Sequence, residues 1–246
     1  MARLDSAHLK LGRAVLHFRD LQEQVAVFMA SKPYGIGPEK HVGDGWIQVT
    51  FVVRRRPPIY FALLAGDAVS NANAALDHLV YGLSRTKPAR TGFPIYVDPD
   101  KYVREGKNGS DRDQLLAGVR EFPERAIIDA YQPYANRMKA DPLWLLRVFA
   151  NTDKHRIVEP GYARSRHVGI KPPPGYQIGV IPGQVTAKLK NGTEICRYRV
   201  YGPPSAEGAV PVQAKVDFSI GFGPMSMDLV EIEEALARVN EIIRAF

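Results

Sequence analysis

From Val212 to Phe222 every second residue is apolar: Val212, Ala214, Val216, Phe218, Ile220 and Phe222. That spacing buries one face of a strand and fits no helical period. Immediately afterwards, Met227 to Phe246 repeats Leu229, Ile232, Leu236, Val239, Ile243 and Phe246 in steps of three and four, which puts one stripe on a helix. A chain that places both periods side by side folds as a mixed protein.

The N-terminal part extends the helical theme. Leu4 to Met29 carries a stripe of Leu11, Val15, Phe18, Leu21, Val25 and Phe28. Trp46 to Val53 alternates as a strand and is closed by Arg54-Arg55-Arg56 and Pro57-Pro58. Ile59 to Leu83 is helical again, with alanines and Gly66 permitting close packing. Lys87 to Ser110 reads as a long loop pinned to the core by Phe93-Pro94-Ile95-Tyr96, with room to act as a lid. One or two short helices are expected around Pro123, and another from Pro142 to His155, capped by Asp141 and with Trp144, Leu145, Val148 and Phe149 on its apolar face.

After Pro160 the segments shorten and alternate. Asn191-Gly192 takes up positive φ readily and predicts a tight hairpin turn between 184–190 and 193–201. In that register Lys188 faces Ile195 and Thr186 faces Arg197, so Lys188, Lys190, Arg197 and Arg199 share one side. No aromatic residue interleaves with these four, so base stacking on that side is not expected. The expected architecture is α+β. Residues 1–160 form a mainly helical bundle, and 161–246 supply an antiparallel sheet of about four strands and a terminal packing helix, all as one cooperative unit.

Composition narrows the function classes. The single cysteine, Cys196, excludes an intrachain disulfide and a cysteine-based zinc cluster, and its place on an apolar strand face makes it a small buried hydrophobe. No window is apolar enough to span a bilayer, and charged residues interrupt the first thirty positions, so a cytoplasmic protein without a membrane role is expected. The net charge of +7 favours approach to RNA or another polyanion, although such a basic surface is more often simply a soluble one, and a homodimer is a separate partner to consider. Phosphate-loop, dinucleotide-glycine, Gly-x-Ser-x-Gly and His-Glu-x-x-His patterns are all missing. No cofactor is called for.

Two clusters set histidine beside carboxylate and amide groups. Asn71, Asn73, Asp77 and His78 lie in the second helix, where Asn73 and Asp77 share one face and Asn71 and His78 a neighbouring one. Asn151, Asp153, Lys154, His155 and Arg156 end the Trp144 helix, where capping alone also attracts such residues. If the clusters met, His78 and His155 would serve as acid and base on a phosphodiester, with Asp77 and Asp153 orienting them. Lys154 and Arg156 would then contact phosphate, beside Asn71, Asn73 and Asn151. The same groups equally suit a satisfied polar network that fixes helix packing. Metal ligation ranks lower, because adjacent helical residues diverge by about 100° and no pair chelates through both members.

Gly66 to Leu79, the Phe93-Pro94-Ile95 loop, Gln132-Pro133-Tyr134, the Leu143-Trp144 helix ending in Asp153-Lys154-His155-Arg156, and the Phe218 to Gly223 strand together resemble a family of uncharacterised bacterial proteins common in actinobacteria. Relatives often carry arginine where this chain has Asn73. That arginine, four residues and a histidine are similar to the signature of HEPN helical ribonucleases and nucleotide-binding proteins. The resemblance implies a HEPN-like helical motif and an RNA-binding or metal-independent ribonuclease role, while Asn73 leaves the motif without its cation.

Overall fold

The computed structural model describes residues 4–104, 109–136, 141–153, 160–183, 189–203, 212–223 and 225–246. Helix α1 (Asp5–Ala30) buries Leu11, Phe18, Leu21, Val25 and Phe28 on the stripe its spacing predicts. Helix α2 (Tyr60–Leu83) packs along α1 in the opposite direction, since Phe28 near the end of α1 meets Phe61 at the start of α2 edge-to-face at 5.6 Å. Ala62, Ala65, Ala68, Ala72 and Ala75 are all buried. Methyl side chains let helix axes approach closely at little entropic cost, which suits a helix that also packs on α6 (Pro142–Asp153) and α7 (Leu229–Arg244).

Both later helices start on aspartate caps, the first of them the expected Asp141. Asp141 Oδ1 accepts from Leu143 N at 2.9 Å. Asp228 Oδ1 accepts from Val230 N and Glu231 N while the Glu231 carboxylate accepts from Asp228 N, a complete capping box. In α6 the buried side chains are Leu143, Leu145, Leu146, Phe149 and Ala150, so Trp144 and Val148 flank the apolar face and do not centre it.

The α+β class is as expected, but the strands are distributed differently. Five strands form the larger sheet: β1 (Tyr34–Ile36), β2 (Lys40–Val42), β3 (Trp46–Val53), β5 (Gln177–Pro182) and β6 (Glu194–Tyr201). The first three come from the N-terminal segment, and β3 lies directly against β6, pairing Gln48 with Arg197 and Val49 with Cys196. β4 (Pro160–Lys171) and β7 (Gln213–Phe222) form a separate two-stranded antiparallel ribbon. Along β7, Val216 and Phe218 are half-buried and Ile220 and Phe222 buried, whereas Lys215 and Asp217 are exposed, which is the predicted alternation. Phe218 then joins the ribbon to the larger sheet, its ring 5.1 Å from Phe51 and 6.1 Å from Tyr34.

The hairpin register is overturned. Asn191 and Gly192 do form a turn, with Thr193 N donating to Lys190 O at 2.9 Å. However, β6 is flanked by β3 on one side and β5 on the other, so Arg197 lies opposite Gln48 and Ile181, and neither edge is left for the expected partner. Leu189 bridges to Ala163 instead, and Lys188 and Thr186 lie outside the described residues. Two free strand edges outcompete one local turn.

The segment from 87 to 136 is held by polar contacts. Phe93 and Ile95 are buried, and the fully buried Gln132 donates to Pro94 O at 2.8 Å and accepts from Tyr96 N at 3.1 Å. Arg112 grips Asp129 at 2.8 Å and Glu121 at 2.7 Å, and Tyr102 Oη donates to Asp129 at 2.8 Å. Those Arg112 bonds hold the Glu121 carboxyl below its usual range, and the Ser110 hydroxyl together with Arg125 does the same for Asp113. These contacts tie the described parts of the segment, residues 87–104 and 109–136, to one another and to the core.

Burial pushes the phenols of Tyr34 and Tyr96 up to about 12 and the Cys196 thiol to about 11, and it raises Tyr102 and Tyr198 as well. Below about pH 9 the thiol and the phenols are neutral in both folded and unfolded chains and leave stability unchanged, and between about pH 9 and 10 only the unfolded thiol begins to ionise. Above that the unfolded phenols also ionise first, and stability falls from about pH 10 to pH 12. Urea melts across this range, read beside tyrosinate absorbance, should show unfolding and ionisation rising together, and independent early ionisation of all the tyrosines would contradict the burial. Tyr34 also has a hydroxyl with no hydrogen-bond partner among the described residues. Tyr34→Phe should therefore stabilise by about 1 kcal/mol, raising Tm by roughly 2–4 °C in a thermal melt.

Candidate functional site

Gly66, Ser70, Asn73 and Asp77 recur on α2 at offsets of four, seven and eleven, which places them on a single stripe. The stripe faces the end of α6 and the loop before α3 (Pro99–Val103). At one end Ser70 Oγ donates to Asp153 Oδ2 at 3.1 Å. A Cβ built on Gly66 would sit 2.8 Å from Asp153 Cγ, so only glycine leaves space for that carboxylate against the helix. At the other end Asp77 Oδ1 accepts from Phe93 N at 2.9 Å and Oδ2 from Asn73 Nδ2 at 3.3 Å. Gly92 lets the loop come this close, since a Cβ there would lie 3.0 Å from Asp77 Oδ1.

The two carboxylates thus act at separate points, Asp153 at Ser70 and Asp77 about two turns, or roughly 10 Å, further along α2. His78 is rotated about 100° from Asp77 and shares its side of the helix with Asn71. It is half-buried, and no side-chain hydrogen bond to it is seen among the described residues. The described bonds of Asp77 go to Asn73 and the Phe93 amide, on a different face of the helix from His78. Asn71 donates to Asp67 O of its own helix at 2.8 Å, and Asn151 is exposed. Lys154, His155 and Arg156 lie outside the described residues.

Sequence spacing paired Asn73 with Asp77 but missed Ser70, Gly66 and the Phe93 amide. The signal for the first two was present, because Gly66 and Ser70 continue the same stripe. The amide contact joins residues 16 apart through a loop and has no periodic signature. Among the described residues, no three His, Cys, Asp or Glu side chains converge as a metal would require, and no helix is long and apolar enough to cross a membrane. A further concavity of about 310 Å³ lies beside Tyr34, Asp217 and Phe218, but Arg54 at its wall is already donating to the carbonyls of Lys32 and Tyr34. Comparisons of the chain with family models, with curated proteins and with solved structures return no match. Function is therefore read from the chemistry of the side chains.

The geometry sets different costs for each position. Asp77→Ala leaves the buried Phe93 amide without its acceptor and should cost about 1–3 kcal/mol, whereas Asp77→Asn keeps an acceptor oxygen and should cost less. Gly66→Ala gains helix propensity but collides with Asp153, so a net loss of about 1–3 kcal/mol is expected. In an Asp153→Ala background the same change should become neutral or stabilising by up to about 1 kcal/mol. Chemical denaturation of the four proteins in that cycle measures the coupling, and additive effects would mean that Asp153 does not rest on Gly66.

Proposed function

We propose that this protein is a non-catalytic interaction or structural protein, in which the carboxylates of α2 and α6 organise packing. The observation that carries this reading is the division of labour along one helical stripe. Asp153 closes α6 onto Gly66 and Ser70, and Asp77 fastens the loop through the Phe93 amide. A carboxylate that accepts a buried amide hydrogen bond serves poorly as a general base, because giving up that bond costs as much as the protonation returns. Such a network specifies one arrangement of helices and loop, which is what a scaffold for a partner requires.

The rival reading is a HEPN-like RNA-binding protein or metal-independent ribonuclease. It is favoured by the half-buried His78, whose imidazole is not committed to any described hydrogen bond. The two readings diverge at that residue. On the scaffold reading, His78→Ala costs less than about 1 kcal/mol, and a fluorogenic RNA oligonucleotide is cleaved no faster with the wild-type protein than in buffer. RNA cleavage by wild type that disappears in a stably folded His78→Ala protein would overturn the scaffold reading in favour of the ribonuclease.

A further inference from the structure

In the larger sheet, directly paired residues project to the same side, so the register sorts its side chains into two faces. One face carries Ile47, Val49, Cys196, Tyr198 and Val200 and turns to the core. The opposite face carries Gln48 and Lys40 on one row with Arg197 and Ile181, followed by Trp46, Arg199 and Gly179 two residues along the strands, and then Tyr201 with Gln177. Lys40, Arg197 and Tyr201 are exposed, and Trp46 and Arg199 are half-buried. Aromatic residues therefore do interleave with the basic ones, contrary to the sequence expectation. They arrive from β3 and from the end of β6, and pairing across some 150 positions of chain brings them together.

Gly179 is the floor of this arrangement. A Cβ there would lie 3.2 Å from the Tyr201 ring and 3.8 Å from the tip of the Trp46 indole, so both rings converge over a backbone kept bare for them. The Arg199 guanidinium stands 5.4 Å from the centre of the Tyr201 ring. Its charge is not neutralised, since no carboxylate lies within ion-pair distance of it among the described residues, although Asp44 belongs to the adjoining β2–β3 turn. Arg197, by contrast, is paired with Glu194 at 2.8 Å.

We propose that this face binds single-stranded nucleic acid, with unpaired bases stacking on Trp46 and Tyr201 and the phosphate chain running along Arg199 and Lys40. A π-face flanked by an unneutralised guanidinium is what a base joined to a phosphate complements. A duplex hides its base faces and offers this surface only phosphates. The net charge of +7 supplies the long-range attraction. No residue of the face belongs to the α2–α6 network, so the assignment stands apart from the scaffold reading.

The test is fluorescence anisotropy of labelled twelve-nucleotide oligo(U) and oligo(dT) on the full chain at low and moderate salt. Tyr201→Ala and Trp46→Ala should each weaken binding on the order of tenfold, while Tyr201→Phe, which keeps the ring, should stay near wild type. Arg199→Ala should weaken binding and flatten the dependence of log affinity on log salt by about 0.7. Arg238→Ala, which removes the same charge on α7, and Asp77→Asn, which lies on α2 away from this sheet face, should leave affinity unchanged. In a Trp144→Phe background, saturating oligo(dT) should quench Trp46 emission. The proposal is overturned if oligonucleotides do not bind, if a duplex binds as tightly, or if the Arg238 change costs as much as the Arg199 change. It is also overturned if sedimentation shows a dimer that Tyr201→Ala dissociates, since the face would then serve a second copy of the chain.

Discussion

A helix packed on several sides has nowhere to put a polar side chain except against a partner, and that constraint on α2 shapes the rest of the molecule. α1, α6 and α7 all pack on it, and its alanines allow them to approach closely. The polar stripe that remains, from Gly66 to Asp77, must be satisfied or it would cost more than the surrounding apolar burial returns. It is satisfied by the two elements it positions. Asp153 ties α6 to α2 through Ser70, and Asp77 sets where the loop from 87 to 98 crosses. The same loop is then held from its other side by Gln132. Asn73 and Asp77, two of the polar groups that made the helix look like a catalytic element, are drawn into this packing.

The sheets are joined to the helices by aromatic contact. Phe28, Tyr34, Phe51, Phe61 and Phe218 form a connected set that draws on α1, α2, β1, β3 and β7. Rings in edge-to-face and tilted pairs add specific orientation to their buried area, which is how two strands and a small ribbon are kept in register with a helical bundle. Tyr34 sits at the centre with a hydroxyl that finds no partner among the described residues. Its ring is needed by three neighbours, and the hydroxyl is a cost that the packing of the ring outweighs.

What could be read in the sequence depended on range. Trp46–Val53, Ile59 to Leu83, the α7 stripe and the β7 alternation were legible to within a residue or two, because each is set by a local period and local caps such as Asp141 and Asp228. The turn at Asn191-Gly192 was legible too, but its consequence was not. A turn fixes two residues, whereas the partners of β6 are decided by which edges are free, and β3 and β5 take both. The site followed the same rule. Asn73 with Asp77 is a local pair and was visible. The reach of Asp153 to Ser70 spans 83 positions, and the Phe93 amide carries no side-chain signature at all.

That failure of range also explains why the sheet's outer face escaped notice. Lys190, Arg197 and Arg199, read alone, describe a solvated basic edge, and solvated charge is the commonest reason for such a pattern. The pairing of β3 with β6 changes the chemistry by adding an indole beside Arg199, and Gly179 changes it again by leaving the space above the strand to two rings. Glu194 then distinguishes the two arginines: Arg197 is neutralised and held, whereas Arg199 stands beside an aromatic surface with no ion pair among the described residues. Along the α2 stripe the carboxylates are spent on neighbouring elements. The sheet presents its own polar groups to solvent, which is why the proposed partner surface lies on the strands and not on the helices.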